Sequence, residues 1–187
     1  MMTHRAALEV LARARTEQIV VTTMGSVAIW PQVSDSPLDF HYLPSSMGQA
    51  VPLGLGLCFA QPGRGVIVLT GDGGLLMNLG CLVTAAQFPV PLYIVLIDNG
   101  LYEVTGGQAV ANARRTDFAA LARGAGISRV YTCDTREEWS AVASEAVTGS
   151  GPVFVCLKVQ GEIGKPTPSA PRPMADQIAR LRAALGV

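Results

Sequence analysis

Charge is scarce in this chain. Lys, Arg, Asp and Glu make up 15% of its 187 residues, against about 25% in an ordinary globular domain, and residues 73–97 carry none at all. Fourteen basic residues balance fourteen acidic ones with no basic run and no aromatic-interleaved basic stripe, which argues against a nucleic-acid partner. Histidine occurs only at positions 4 and 41. Cys58, Cys81, Cys133 and Cys156 are far apart in apolar surroundings, without a CxxC, so buried reduced thiols are expected rather than a zinc or iron-sulfur site. There is no P-loop, and the Gly54-x-Gly56 pair falls inside a helical pattern rather than after a strand, which removes a dinucleotide fingerprint. The N-terminus lacks an apolar core of signal-peptide length. The uncharged stretch raises the question of a membrane span, but Asn78, Gln87, Pro89 and Pro91 interrupt it and its periodicity changes midway, so it reads as a helix followed by a buried strand. A cytoplasmic location with no membrane partner is the expectation.

What the chain has is apolar surface: hydrophobic residues reach 49%. The length suits one domain over residues 1–187 with a substantial core, and the apolar surplus points to a surface completed by a partner. Strand patterns cover Ile19–Thr22, Asp39–Tyr42, Val66–Thr70, Leu92–Ile97, Ser128–Thr132 and Val153–Lys158. Helical patterns lie between them at Ser26–Val33, Met47–Ala60, Leu75–Gln87, Asp117–Ala125 and Thr135–Val147, with terminal helices at Thr3–Glu17, capped near Thr3, and Pro173–Leu185. The strands are rich in Val, Ile and Leu with little polar alternation, as in a parallel sheet covered on both faces. The predicted fold is α/β: a single doubly wound domain with a parallel six-stranded sheet. Gly100–Arg115 and the Pro-rich segment 160–173 show no periodic pattern, and loops of that length in a compact domain tend to be functional.

One motif carries chemistry. Gly71-Asp72-Gly73 is followed after 25 residues by Asn99, which comes directly after a hydrophobic strand. The glycines let the backbone turn and approach an anion, Asp72 offers a hard carboxylate oxygen and Asn99 an amide oxygen, the oxygen shell that magnesium held on a diphosphate requires. The intervening helix and strand bring Asp72 and Asn99 to the carboxyl ends of two parallel strands, where open α/β sheets bind ligands. Gly-Asp-Gly alone is ordinary turn chemistry; its strand–helix–strand setting is what makes it specific.

With that spacing the segment resembles the signature of thiamine diphosphate enzymes. Ser45-Ser46-Met47-Gly48-Gln49-Ala50 and Val104-Thr105-Gly106-Gly107-Gln108 resemble the cofactor-binding half of phosphonopyruvate and sulfopyruvate decarboxylases, over roughly Val20–Lys158. The usual Asn-Asn ending is Asp98-Asn99 here. The resemblance implies Mg2+ held by Asp72, Asn99 and the Leu101 carbonyl, and thiamine diphosphate held by Gly25, Ser26, Gly71, Gly73, Gly74 and Tyr102. It gives the pyrimidine edge to the Ser45 carbonyl and the Met47 N–H, and makes the Met47 side chain the prop that bends the cofactor. Val104 and Thr105 would pass the reaction centre. Gly25 and Ser26 read equally as a loop and helix cap, and Tyr102 and Glu103 as packing and solvated loop residues. His4 reads as a solvated helix-start residue and His41 as a strand-end residue. Arg114, Arg115 or Lys165 are the candidates to meet a substrate anion.

The activity implied is decarboxylation of a small anionic 2-oxo acid, 3-phosphonopyruvate or 3-sulfopyruvate. In such enzymes the Glu that activates the pyrimidine belongs to a separate pyrimidine-binding domain, for which this chain has no room. The chain therefore resembles a small subunit working with a pyrimidine-binding α subunit, as α2β2 or higher. A 2-oxoacid oxidoreductase β-subunit and a non-catalytic cofactor-binding protein are the alternatives; the scattered cysteines argue against the first.

Overall fold

The computed structural model describes residues 1–164 and 166–187; Lys165, one of the three candidate cations, lies outside them. The chain opens with α1 (His4–Ala14), where Thr3 Oγ1 accepts the Ala6 N–H at 3.1 Å as the N-cap. Strand β1 (Ile19–Thr22) leads into α2 (Gly25–Ile29), a 3-10 turn at Trp30–Gln32 and β2 (Asp39–His41). Then come α3 (Ala50–Ala60), β3 (Val66–Gly71), α4 (Asp72–Leu76), α5 (Gly80–Ala86) and β4 (Leu92–Asp98). A small antiparallel ribbon, β5 (Leu101–Tyr102) with β6 (Gln108–Ala109), brackets a 3-10 turn at Glu103–Thr105. The last elements are α6 (Phe118–Gly124), β7 (Arg129–Cys133), α7 (Arg136–Ala146), β8 (Val153–Lys158) and α8 (Met174–Leu185).

Six strands form one sheet in the order β2-β1-β3-β4-β8-β7, every pair parallel. The expected α/β sheet is therefore present. Alternate strand residues feed two cores. Ile19, Val21, Val68, Ile94 and Phe154 face α3, α5 and α6, and Val20, Ile67, Val95 and Val155 face α1, Trp30 and α7. Burial on both faces explains strands without polar alternation. The connection from β1 runs outward to β2, and the next returns past β1 to β3. The strand order thus reverses between β1 and β3, opening a crevice above their carboxyl ends.

Several expected elements are corrected. Leu75–Gln87 is not one helix: the helix starts at Asp72, ends at Leu76 and resumes at Gly80. Between them the turn tightens, with Met77 N–H bonded to the Gly74 carbonyl and Asn78 N–H to that of Leu75, while Asn78 Nδ2 donates to the Gly48 carbonyl at 3.1 Å. The asparagine side chain is committed to another loop, and Gly80 is a poor helix former. Met47 does not start a helix but lies in the loop before α3, and the α2 segment finishes as a 3-10 turn containing Pro31. Gly100–Arg115 is not wholly irregular, since it holds the β5–β6 ribbon. Among the described residues no helix is long and apolar enough to cross a membrane.

Candidate diphosphate and metal site

One cleft opens at the β1/β3 reversal. Its walls come from the loops after β1 (Gly25, Ser26), β2 (Ser45, Met47), β3 (Gly71, Asp72, Gly73, Gly74) and β4 (Asn99, Leu101, Tyr102, Val104, Thr105). The residues singled out for cofactor, metal and reaction centre lie on this cleft; Arg114 and Arg115, the described candidates for the substrate anion, do not line it. The cause is register: in the parallel β3–β4 pair Gly71 sits opposite Ile97, so Asp72 and Asn99 leave the sheet side by side.

Asp72 ties the two loops together. The Gly73 N–H donates to its Oδ1 at 2.8 Å and the Gly100 N–H to its Oδ2 at 2.7 Å. Asn99 Oδ1 accepts the Leu101 N–H at 2.8 Å, which fixes the amide oxygen and the turn that carries the Leu101 carbonyl. Asp72 is only 3% exposed. Burial pushes its carboxyl up to about 6, the charge of nearby Asp98 adds to the rise, and the two N–H bonds oppose it. Asp98 lies opposite Lys158 in the β4–β8 register, and Lys158 Nζ bonds its carboxylate. Burial disfavours the Lys158 ammonium, but the bond to Asp98 and surrounding negative groups raise its pKa overall. The aspartate in the Asp98-Asn99 ending is thus paired with a cation inside the sheet, and Asn99 stays at the cleft.

The donor set fits Mg2+: one carboxylate, one amide oxygen and one backbone carbonyl are hard oxygens, and a divalent cation would offset the buried Asp72 charge. The glycines fit a diphosphate. A Cβ on Gly71 would meet no atom within 4 Å, so its empty side faces space rather than protein packing. Gly73 is different, because a Cβ there would lie 2.3 Å from Tyr102 Cε1. Gly73→Ala should therefore expel the Tyr102 ring from the cleft wall and lower stability by about 1–3 kcal/mol, read as a drop in thermal midpoint; an unchanged midpoint would contradict this packing.

Two residues of the cleft escaped the sequence reading. His4 is buried at 4% exposure and not solvated, with Nε2 3.0 Å from Ser26 Oγ. Glu103 is buried at 6%, its Oε1 accepting the Glu162 N–H at 2.7 Å, so it is neither packing filler nor a solvated loop residue. For His4 the signal was available: positions 4, 7, 8 and 11 form one helical face with Ala7, Leu8 and Leu11, all buried. His41 ends β2 as expected, its Nδ1 2.9 Å from Thr22 Oγ1 and its N–H donating to Gln177 on α8. Arg114 and Arg115 are exposed in the loop after β6, and the Arg114 side chain passes within 4 Å of where a Gly100 Cβ would sit. All four cysteines are buried and unpaired by disulfide, and none lines the cleft.

Residues 23–157 match the family described as thiamine pyrophosphate enzyme, C-terminal TPP binding domain. Phosphonopyruvate decarboxylase from Streptomyces viridochromogenes is 34% identical over 84% of this chain, which spans only 40% of that relative's length. The sulfopyruvate decarboxylase subunit beta of Methanothermobacter thermautotrophicus is 39% identical, with 82% of this chain matching 80% of the subunit. The solved structure of benzoylformate decarboxylase from Polynucleobacter necessarius superposes with a TM-score of 0.71 at 20% identity, covering 87% of this chain and 34% of that one, which shows the fold. The chain belongs to the thiamine pyrophosphate enzymes, as a C-terminal TPP binding domain.

Proposed function

We propose that residues 1–187 form the small subunit of a thiamine diphosphate- and Mg2+-dependent 2-oxo acid decarboxylase whose active site is shared with a separate pyrimidine-binding polypeptide. The observation that carries this reading is the delivery of Asp72 and Asn99, from adjacent strand ends, to the cleft that also holds Gly71–Gly74 and Met47. Thiamine diphosphate, when bound, supplies the electron sink for breaking the bond between the keto carbon and the carboxylate. The chain's own contribution is position and field. Asp72, Asn99 and the Leu101 carbonyl hold the metal, and N–H groups of Gly73 and Gly74, with Gly25 and Ser26, meet the diphosphate. Met47, flexible and polarizable, would support the cofactor's ring system, and the Ser45 carbonyl and the Met47 N–H would meet its pyrimidine edge. Tyr102 closes the wall over Gly73, and Val104 and Thr105 border the space left for substrate.

The activating Glu is assigned to the partner. Glu103 is the carboxylate on the cleft besides Asp72, and its Oε2 reaches the Gly25 segment, the end given to the diphosphate rather than the Ser45–Met47 end given to the pyrimidine. A relative named as a subunit beta, matched over 80% of its length, supports a second polypeptide. The phosphonopyruvate and sulfopyruvate decarboxylases support a substrate carrying phosphonate or sulfonate at carbon 3, whose second anion needs cationic or N–H donors. Arg114, beside Gly100, and Arg115 are the described cations offered for it. Replacing both with Ala should raise KM for 3-phosphonopyruvate or 3-sulfopyruvate and leave KM for pyruvate unchanged; equal effects on both would remove the pair from substrate recognition.

A further inference from the structure

The buried face of α1 carries His4 to the cleft wall beside Ser26. The loop between them and the sheet is closely fixed. Thr23 Oγ1 donates to the Leu69 carbonyl at 2.9 Å, the Ser26 N–H donates to the Thr23 carbonyl at 3.1 Å, and Met24 is held at φ 46. A Cβ on Gly25 would sit 3.5 Å from His4 Cε1 and 3.6 Å from Glu103 Oε2, so the imidazole and a buried carboxylate flank this one backbone segment. A surface histidine would make no such set of contacts; here a nearly inaccessible ring has a polar atom on a hydroxyl that itself lines the cleft.

The direction of the His4–Ser26 bond decides what the serine can do. A hydroxyl has one proton and two lone pairs. If Ser26 gives its proton to Nε2, it presents only lone pairs to an arriving anion and repels it. If the imidazole donates from Nε2–H, Ser26 keeps its proton for a phosphate oxygen, in a charge-assisted bond stronger than a neutral one. We infer that His4 donates through Nε2 to Ser26 Oγ and is a positioning residue that aims the serine proton at the diphosphate. This rests on the assignment of the loop after β1 to the diphosphate, and it adds to that assignment a residue, from a separate helix, that acts through Ser26.

Calorimetric titration of thiamine diphosphate, with magnesium, into the full chain assembled with a pyrimidine-binding subunit tests it. His4→Ala and Ser26→Ala should each weaken binding about tenfold, the usual weight of a hydrogen bond to a charged group. His4→Gln, whose amide N–H2 stands where the imidazole has Nε2, should restore most of the affinity, and His4→Asn, whose donor stands at the Nδ1 position, should not. The double variant His4→Ala/Ser26→Ala should bind no more weakly than Ser26→Ala alone, because His4 acts through the serine. Unchanged binding in His4→Ala, additive losses in the double variant, or failure of Gln to rescue would each overturn the inference while leaving the cofactor site standing. Should His4→Ala not fold, the contrast between Gln and Asn decides the matter alone. A wild-type assembly without magnesium-dependent affinity for thiamine diphosphate would overturn both the inference and the reading beneath it.

Discussion

Asp72→Ala is expected to abolish magnesium-dependent thiamine diphosphate binding, a loss of more than about 100-fold, with the sheet still folded. The Asp72 carboxylate is the sole charged donor of the proposed metal set, and it also joins the loops after β3 and β4 by accepting the Gly73 and Gly100 N–H groups. Removing it takes away the hard anionic oxygen and lets the Asn99 turn drift. The fold survives because the residue stands after the strand, outside both hydrophobic clusters. The unliganded chain should even show a pH signature. The folded carboxyl titrates near 6, above its ordinary 3.8, so the folded state holds the proton more tightly than the unfolded one. Its contribution is most favourable below the ordinary value and is lost as pH rises through that window. Asp72→Ala should flatten this decline in thermal midpoint between pH 4 and 6. Cofactor affinity unchanged by calorimetry would rule out the clamp.

Most of the sheet was legible in the sequence because its strands are bounded by turn residues and buried on both faces. Ile19–Thr22 and Val153–Lys158 fall where their Val- and Ile-rich runs place them, and the other four differ by a residue or so at an end. The helix after Gly71-Asp72-Gly73 was misjudged because apolar periodicity continues through Met77–Leu79 while tertiary contacts break it: Asn78 is committed to Gly48, a residue 30 positions earlier. The cleft was legible where local chemistry repeats the motif, at Asp72 and Asn99. The burial of His4 and Glu103 was not found, since the partner of each side chain is distant in sequence: Ser26 for His4, and the Glu162 N–H for Glu103, which itself lies in the loop that carries Asn99. His4 could have been found by treating a histidine in register with Ala7, Leu8 and Leu11 as part of the buried face.

The second large expected effect is an all-or-none dependence on a partner. Helix α3 is apolar on every side, and no charge follows Asp72 in α4 or occurs in α5. Phe59 at 51%, Met77 at 56% and Val83 at 61% exposure leave large side chains in water on these neighbouring elements. A surface of this kind suits a subunit interface. Alone, the chain should bind cofactor weakly and decarboxylate nothing, because no carboxylate of its own is assigned to the pyrimidine edge. With a pyrimidine-binding partner it should form an even assembly, such as a dimer of heterodimers.

Carbon dioxide release from a panel of 2-oxo acids, by this chain alone and coexpressed with a pyrimidine-binding subunit, tests the central claim most directly. The expected result is release by the assembly only, magnesium-dependent and faster with 3-phosphonopyruvate or 3-sulfopyruvate than with pyruvate. Turnover by a pure, monomeric preparation of this chain, or no release of carbon dioxide from any 2-oxo acid by the assembly, would contradict it.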